Sequence, residues 1–270
     1  MVTEVARLTP RDRLILDLLA DHHTFTTDQL AHLAFGSLGR ARNRLSDLHR
    51  RGVLDRFRHF HRPGSQSWRW TLGPVGAAIV AAGRNEAPPR PATVRDTTAR
   101  LATSPTLAHL IGTNGFFVAL MAHARDHDGA ALIRWWNEAR CRAATGNLVR
   151  PDGHGVWAAG GWRVPFWLEH DTGTESLRRV VAKLDGYATL AGTRRAFPVL
   201  FWLPTSVREA NLRALMTRTG LPAGVTVATA AADLTADHGG PAGPVWHTPR
   251  HTARLPLADL PAPDGAPWDG

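Results

Sequence analysis

The sequence predicts an α+β (or α/β) protein in two parts: a small helical block closed by a β-hairpin, and a larger block built on a mixed sheet with flanking helices. Three observations predict this. Apolar residues recur at helical spacing in three short runs between residues 9 and 51. Two strand-like runs, 53–60 and 68–72, flank the turn sequence Arg62-Pro63-Gly64-Ser65. From residue 106 the patterns follow the order α-β-β-β-α-β-α-β, which suits a mixed sheet covered by helices.

The first helix begins at Thr9-Pro10-Arg11-Asp12, where a capping hydroxyl precedes Pro at the first helical position and an acid sits near the positive end of the dipole. Leu14, Ile15, Leu18 and Leu19 mark its apolar face. Thr26 and Gln29 have capping-box spacing and open a second helix carrying Leu30, Leu33 and Ala34. Gly36-Ser37 turns into a third, residues 38–51, ended by Gly52. Ala41, Leu45 and Leu48 fall on one side of it, and Arg40, Asn43, Asp47 and Arg50 fall opposite. In the hairpin, Trp68, Trp70 and Leu72 alternate inward, while Arg56, Arg58, His59, His61 and Arg62 gather near the tip. Three short helices and a basic hairpin in this order are a winged helix-turn-helix, expected over residues 1–83.

Residues 84–105, with Pro88, Pro89 and Pro91, suit a linker. In the second block, 106–236, Thr106–His127 reads as a helix whose apolar stripe is interrupted by Asn114, a residue that needs a hydrogen-bonding partner. Strands are expected at Ala131–Glu138, Leu148–Trp157 and Trp162–Asp171, the last two joined at Gly160-Gly161. Ser176–Ala191 is a helix, Phe197–Leu203 a strand, Val207–Arg218 a helix and Val225–Ala230 a strand. The Pro/Gly-rich tail, 237–270, is expected to be mobile.

The chain of 270 residues carries a formal net charge of +9. Residues 1–95 hold 15 Arg against 8 acidic residues, whereas the other 175 hold 17 basic and 15 acidic residues. A basic excess concentrated on one block attracts a polyanion, and double-stranded DNA is the expected partner. Arg can bridge guanine O6 and N7, and Asn the corresponding edge of adenine. The expected DNA contacts are Ser37, Arg40, Asn43, Arg44 and Arg50 from the third helix, with Arg56, Arg58 and Arg62 from the hairpin. The single cysteine, Cys141, excludes an internal disulfide and a thiolate-rich zinc site. No signal peptide and no apolar run near the ~18 residues of a membrane span are read, so a cytoplasmic protein without a membrane partner is expected.

Three acids draw attention in the second block. Asp152 lies on one expected strand, and Glu169 and Asp171 end the next, two apart and so on one face. Carboxylates converging there could bind Mg²⁺ and activate water against a phosphodiester, with Glu138 as a further acid. Pro151-Asp152 followed by Glu169-x-Asp171 resembles the PD-(D/E)xK nuclease core, a restriction-endonuclease-like fold. The hairpin-bearing block together with RPDG…FWLEHDTGTESL…KLDGY resembles the replication-relaxation family of actinobacterial and plasmid-associated proteins, over about residues 9–230. The resemblance implies DNA binding in plasmid or mobile-element replication or relaxation, with relaxation or replication proteins, or a second copy of the chain, as partners.

The nuclease pattern expects Lys where Asp171 stands. Lys183, the only lysine in the chain, is the candidate replacement, with Tyr187 four residues on and sharing its face. The catalytic set is therefore Asp152, Glu169, Asp171 and Lys183, and the metal set its three acids, with Mg²⁺ needed only if the site is active. Three roles stay open: a DNA binder with an inactive nuclease-like domain, a Mg-dependent endonuclease or nickase, and a winged-helix transcriptional regulator.

Overall fold

A computed structural model describes residues 6–58, 66–234 and 238–260. It divides into two compact units, Met1–Val118 and Ala119–Gly270. The architecture is mixed α+β, with a three-stranded sheet in the first unit and a five-stranded mixed sheet in the second.

Helix α1, Pro10–His22, starts as the sequence dictates: Thr9 caps it and Asp12 closes a reciprocal capping box. Its buried face is Asp12, Ile15, Leu16, Leu19 and His22. Leu14 is exposed and Leu18 only half-buried, a correction to the expected stripe. Two polar residues share the buried face, so hydropathy alone assigns the wrong side. Strand β1, Phe25–Thr26, precedes α2, Thr27–Ala34, whose Thr26/Gln29 capping box forms as expected. Helix α3, Leu38–Arg50, buries Ala41, Leu45 and Leu48 completely.

Strands β2, Leu54–Phe57, and β3, Arg69–Leu72, pair antiparallel, and β1 adds to the far side of β3. Trp70 is the buried anchor of this sheet. Thr24 Oγ1 donates to its carbonyl, and its indole N–H donates to Thr27 Oγ1, both at 2.9 Å. The hairpin tip, with Arg62, His59 and His61, lies outside the described residues.

Helix α4, Pro74–Gly83, follows directly. Gly73 and Gly76 permit its close approach, because a Cβ would sit 2.3 Å from the Gly52 carbonyl oxygen and 2.1 Å from that of Val53, respectively. The expected linker is a second correction. Residues Pro91–Ala102 form helix α5, which buries Val94 and Thr98. Pro91 occupies its first turn, where a missing N–H is harmless and the fixed φ favours the helix, so proline here starts structure rather than interrupting it.

Helix α6, Leu107–Asp126, runs across the division between the units. It is long and apolar enough, by length and composition, to cross a membrane, with a mean hydropathy of 1.3 over 18 residues. That corrects the expectation of no such run. Its first half nevertheless buries Thr113 and Asn114 beside Phe116, Phe117 and Val118. Asn114 finds the partners it needs: its amide donates to the carbonyls of His22 and Thr24, at 3.0 and 2.8 Å. The His22 carbonyl also accepts from the Thr24 N–H at 2.8 Å, so the Asn114 amide adds a second donor there and ties the end of α1 to the segment leading into β1.

In the second unit, β4 (Ala131–Asn137), β5 (Gly153–Ala159), β6 (Trp162–His170), β7 (Val199–Leu203) and β8 (Val227–Ala231) lie side by side in that order. The first three pair antiparallel and the last three parallel. Helices α8, Leu177–Ala188, and α9, Ser206–Thr219, make the crossovers that parallel pairing requires. Val180, Leu184 and Tyr187 of α8 and Leu212 and Met216 of α9 join Trp167, Val199, Phe201 and Val227 of the sheet in one core.

Two expectations shift here. Asn137 caps an additional helix, α7, Glu138–Ala144, and β5 begins at Gly153 rather than Leu148. The tail is ordered through its described part: Trp246 is fully buried, and His247 exchanges both backbone hydrogen bonds with Thr229 of β8, at 2.8 and 2.9 Å. Val245, Leu257 and Leu260 are also buried, so a few well-placed apolar anchors offset the ordering cost that the Gly/Pro composition suggested would win.

Candidate functional site

In the first unit the candidate surface is built on α3 and the β2–β3 hairpin. Ser37 is exposed and accepts from the Arg40 N–H at 3.3 Å, so its part is to start α3. With Ala41, Leu45 and Leu48 inward, Arg40, Arg42, Asn43 and Arg50 are exposed. Arg50 also makes a surface pair with Asp47 at 3.2 Å, of the weak exposed kind. Arg44 behaves differently. Its guanidinium binds the fully buried Asp12 carboxylate at 2.6 and 3.1 Å, bonds Asp47 at 3.1 Å and reaches the Arg7 carbonyl. The expectation that Arg44 contacts DNA is corrected: its donors are engaged within the protein because Asp12 must be neutralised where it is buried.

The hairpin adds two stacked arginines. The Arg56 guanidinium lies 4.1 Å from the Trp68 ring centre and 5.5 Å from that of Trp70, and Arg58 lies 4.3 Å from Trp68. Stacking uses the guanidinium faces and leaves the in-plane N–H donors for a further partner. Arg42, Ser46, Arg56, Arg58, Trp68 and one acid, Asp28, line a polar groove of about 480 Å³. Neither Arg42 nor Trp68 is among the contacts that the sequence pattern selects. The legible signal is Arg42 and Ser46 at i and i+4, one row around from the stripe opposite the leucines.

The second unit gathers the acids only in part. Gly153 pairs with Leu168, so Asp152 comes opposite Glu169, and Asp152 Oδ2 accepts from the His170 N–H at 2.7 Å. Glu169 is buried. Its Oε2 accepts from Lys183 Nζ at 2.9 Å and its Oε1 from the Tyr187 hydroxyl at 2.5 Å. The shared face of Lys183 and Tyr187 on α8 is thus as expected. Lys183 also pairs with Glu175 at 3.3 Å.

Burial, and then the Asp152 charge, push the Glu169 carboxyl up to about 7 against the opposing pull of Lys183 and Tyr187. Burial works to lower Lys183, but the Glu169 charge and hydrogen bond raise it overall. Burial also raises Tyr187, reinforced by the Glu169 charge.

Asp171 does not join them. Strand β6 ends at His170, and Asp171 turns to Arg208 of α9, which holds both its oxygens, while Oδ1 also accepts from the Gly173 N–H at 2.8 Å. Among the described residues no cluster of three or more His, Cys, Asp or Glu side chains is arranged to hold a metal ion. The expected convergence of Asp152, Glu169 and Asp171 is therefore corrected, and so is the Mg²⁺ fit. Each Glu169 oxygen already has a donor and Asp171 is bound to a guanidinium, which leaves no shared set of free carboxylate oxygens for a hard cation. Glu138 is exposed at the start of α7. The Cys141 thiol is fully buried and raised by burial, an unreactive setting. Sequence reading also missed Arg134, Arg140 and Arg195, whose guanidiniums lie 4.9, 5.2 and 5.7 Å from the Trp136 ring.

The fold and these surfaces define a mixed α+β protein with a cationic, aromatic-lined groove in one unit and a paired acid cluster in the other. Residues 16–200 match the replication-relaxation family, and the chain belongs to that family. No curated protein and no solved structure matches it.

Proposed function

We propose that this chain binds double-stranded DNA through its first unit, acting as a winged helix-turn-helix in plasmid or mobile-element replication or relaxation. One observation carries the reading: Arg56 and Arg58 stack on Trp68 and, with Arg42 of α3, line an open groove. In this arrangement α3 enters the major groove, Arg40 and Asn43 read base edges, and the stacked hairpin arginines hold phosphates. Membership of the replication-relaxation family supports the assignment to replication or relaxation. The working compartment is the cytoplasm, with α6 serving as a core helix.

The test is a fluorescence-anisotropy titration of a duplex at several salt concentrations. Replacing Arg42, Arg56 and Arg58 by Ala should lower the slope of log affinity against log salt by about 2–3, at ~0.9 for each phosphate no longer neutralised. Arg40→Ala with Asn43→Ala should cost a few kcal/mol on a specific site, at roughly 1–3 kcal/mol per base pair read. Unchanged affinity and slope in the triple variant would remove the reading.

The order of strands and helices in the second unit, with Asp152 immediately before β5 and opposite Glu169 of β6, favours a nuclease-like fold. We read it as non-catalytic, because Glu169 is held by Lys183 and Tyr187 and Asp171 by Arg208. Supercoiled plasmid incubated with the protein and Mn²⁺ should stay intact. Nicking that disappears in Asp152→Ala would establish an endonuclease instead.

A further inference from the structure

The second unit contains an open surface pocket of about 690 Å³ that shares no lining residue with the acid cluster. Ala210, Ala214 and Thr217 of α9 form one wall, at i, i+4 and i+7, where small side chains leave the space open. Val227 and Thr229 of β8 lie at its floor, and His247 and Pro249 of the following segment close another side. The lining is mainly apolar but holds a charge, that of Arg213.

Arg213 is the unusual element. Its Nε is buried with no hydrogen-bond partner, and no carboxylate among the described residues forms an ion pair with its guanidinium. Glu209, one turn earlier on α9, cannot serve. Both its oxygens are held by Arg254 at 3.0 and 2.6 Å, and the Thr229 hydroxyl donates to one of them at 2.7 Å. A buried, unsatisfied guanidinium N–H beside an apolar void costs free energy until an anion meets it. His247 adds a second donor: burial, and then the Arg213 charge, lower its pKa, so its imidazole is a neutral hydrogen-bonding group near pH 7.

We propose that this pocket is a binding site for a small amphipathic anion, its carboxylate, sulfonate or phosphate held by Arg213 and His247 and its apolar body lying against Ala210, Ala214 and Val227. Size agrees with chemistry here, since small-molecule sites of roughly 300–1,000 Å³ are typically apolar with a few placed polar groups.

The probe for the test is 1-anilinonaphthalene-8-sulfonate, an aromatic body with one anionic head, titrated into the full-length protein and compared with its uncharged relative N-phenyl-1-naphthylamine. Wild type should bind one sulfonate probe saturably. Arg213→Gln should weaken it about tenfold or more, the usual scale for a charge-assisted hydrogen bond, and leave the neutral probe unchanged. Arg213→Lys should restore part of the loss, and Ala214→Phe, which fills the void, should exclude both probes. Circular dichroism and unfolding temperature check that each variant is folded. Absence of saturable binding, or equal sulfonate affinity in folded wild type, Arg213→Gln and Ala214→Phe, would overturn the proposal.

Discussion

Replacing Arg44 by Met separates the two roles that an arginine on α3 can play. Arg44 makes two charge-assisted hydrogen bonds to the fully buried Asp12 carboxylate, at 2.6 and 3.1 Å. Methionine keeps the length of the side chain but leaves Asp12 with only its cap bonds from the Thr9 backbone N–H and hydroxyl, both at 2.8 Å. Stranding one partner of a buried pair costs roughly 3–5 kcal/mol. Arg44 is 24% exposed, and water can reach the vacated position, so the expected loss is about 2–3 kcal/mol. At about 4 °C per kcal/mol for a domain of this size, the first unit should melt about 8–12 °C lower.

The pH dependence follows from Asp12. Burial works to raise its pKa, but hydrogen bonds from Arg44 and Thr9 hold it below the usual value. A depressed carboxylate contributes stability above its unfolded pKa of about 3.9 and loses it as pH falls through the folded value. The difference between wild type and Arg44→Met should therefore shrink on acidification below pH ~4. Thermal unfolding with hydrogen exchange read over residues 38–50 gives the measurement, and duplex affinity below the melting range gives the control. An unchanged transition with duplex affinity weakened tenfold would refute the reasoning and return Arg44 to the DNA surface.

Three further outcomes are expected. Asn114→Leu removes the amide donor from the Thr24 carbonyl and leaves the His22 carbonyl with only the Thr24 N–H, and should cost about 1–3 kcal/mol in urea unfolding; a loss under about 0.5 kcal/mol would contradict it. Burial lowers His22 and His154 to about 3, so each unit holds a neutral imidazole whose contribution is complete above an unfolded pKa of about 6.5 and is lost as pH falls toward 3. Near pH 5 that is about 2 kcal/mol for each, at 1.36 kcal/mol per unit, and a His154→Gln variant with the wild-type acid limb would contradict it. Glu169, raised to about 7, has the opposite sign: its contribution is complete below the unfolded carboxylate pKa and is lost as pH rises through 7. The stability of Glu169→Gln relative to wild type should accordingly rise between pH 5 and 8, and a pH-independent difference would exclude the raised carboxyl.

The candidate site was legible where chemistry depends on spacing along one element. Lys183 and Tyr187 are one helical turn apart, and both reach Glu169. It was illegible where the chain leaves its element. Glu169 and Asp171 are two apart, which puts them on one face only while the strand continues, and β6 stops at His170. Asp171 then answers to Arg208, 37 residues further along the chain, a partner no local pattern identifies. Arg44 was misplaced for the same reason, because the acid that holds it lies 32 residues away on α1.

The sequence by itself determined the helix starts, through Thr9, Thr26, Ser37 and Ser176, and the order of elements from α6 to β8 apart from the inserted α7. These depend on hydrogen bonds within one turn and on the period of apolar residues, both local quantities. Only the tertiary structure decided that Pro91 opens a helix, that the tail is anchored by Trp246, and that Asp12 and His22 are buried. A polar residue is buried when a distant group satisfies it, and an irregular segment is ordered when a distant surface accepts its few apolar side chains. Both conditions are properties of residues brought together by folding, and neither is written in the neighbouring sequence.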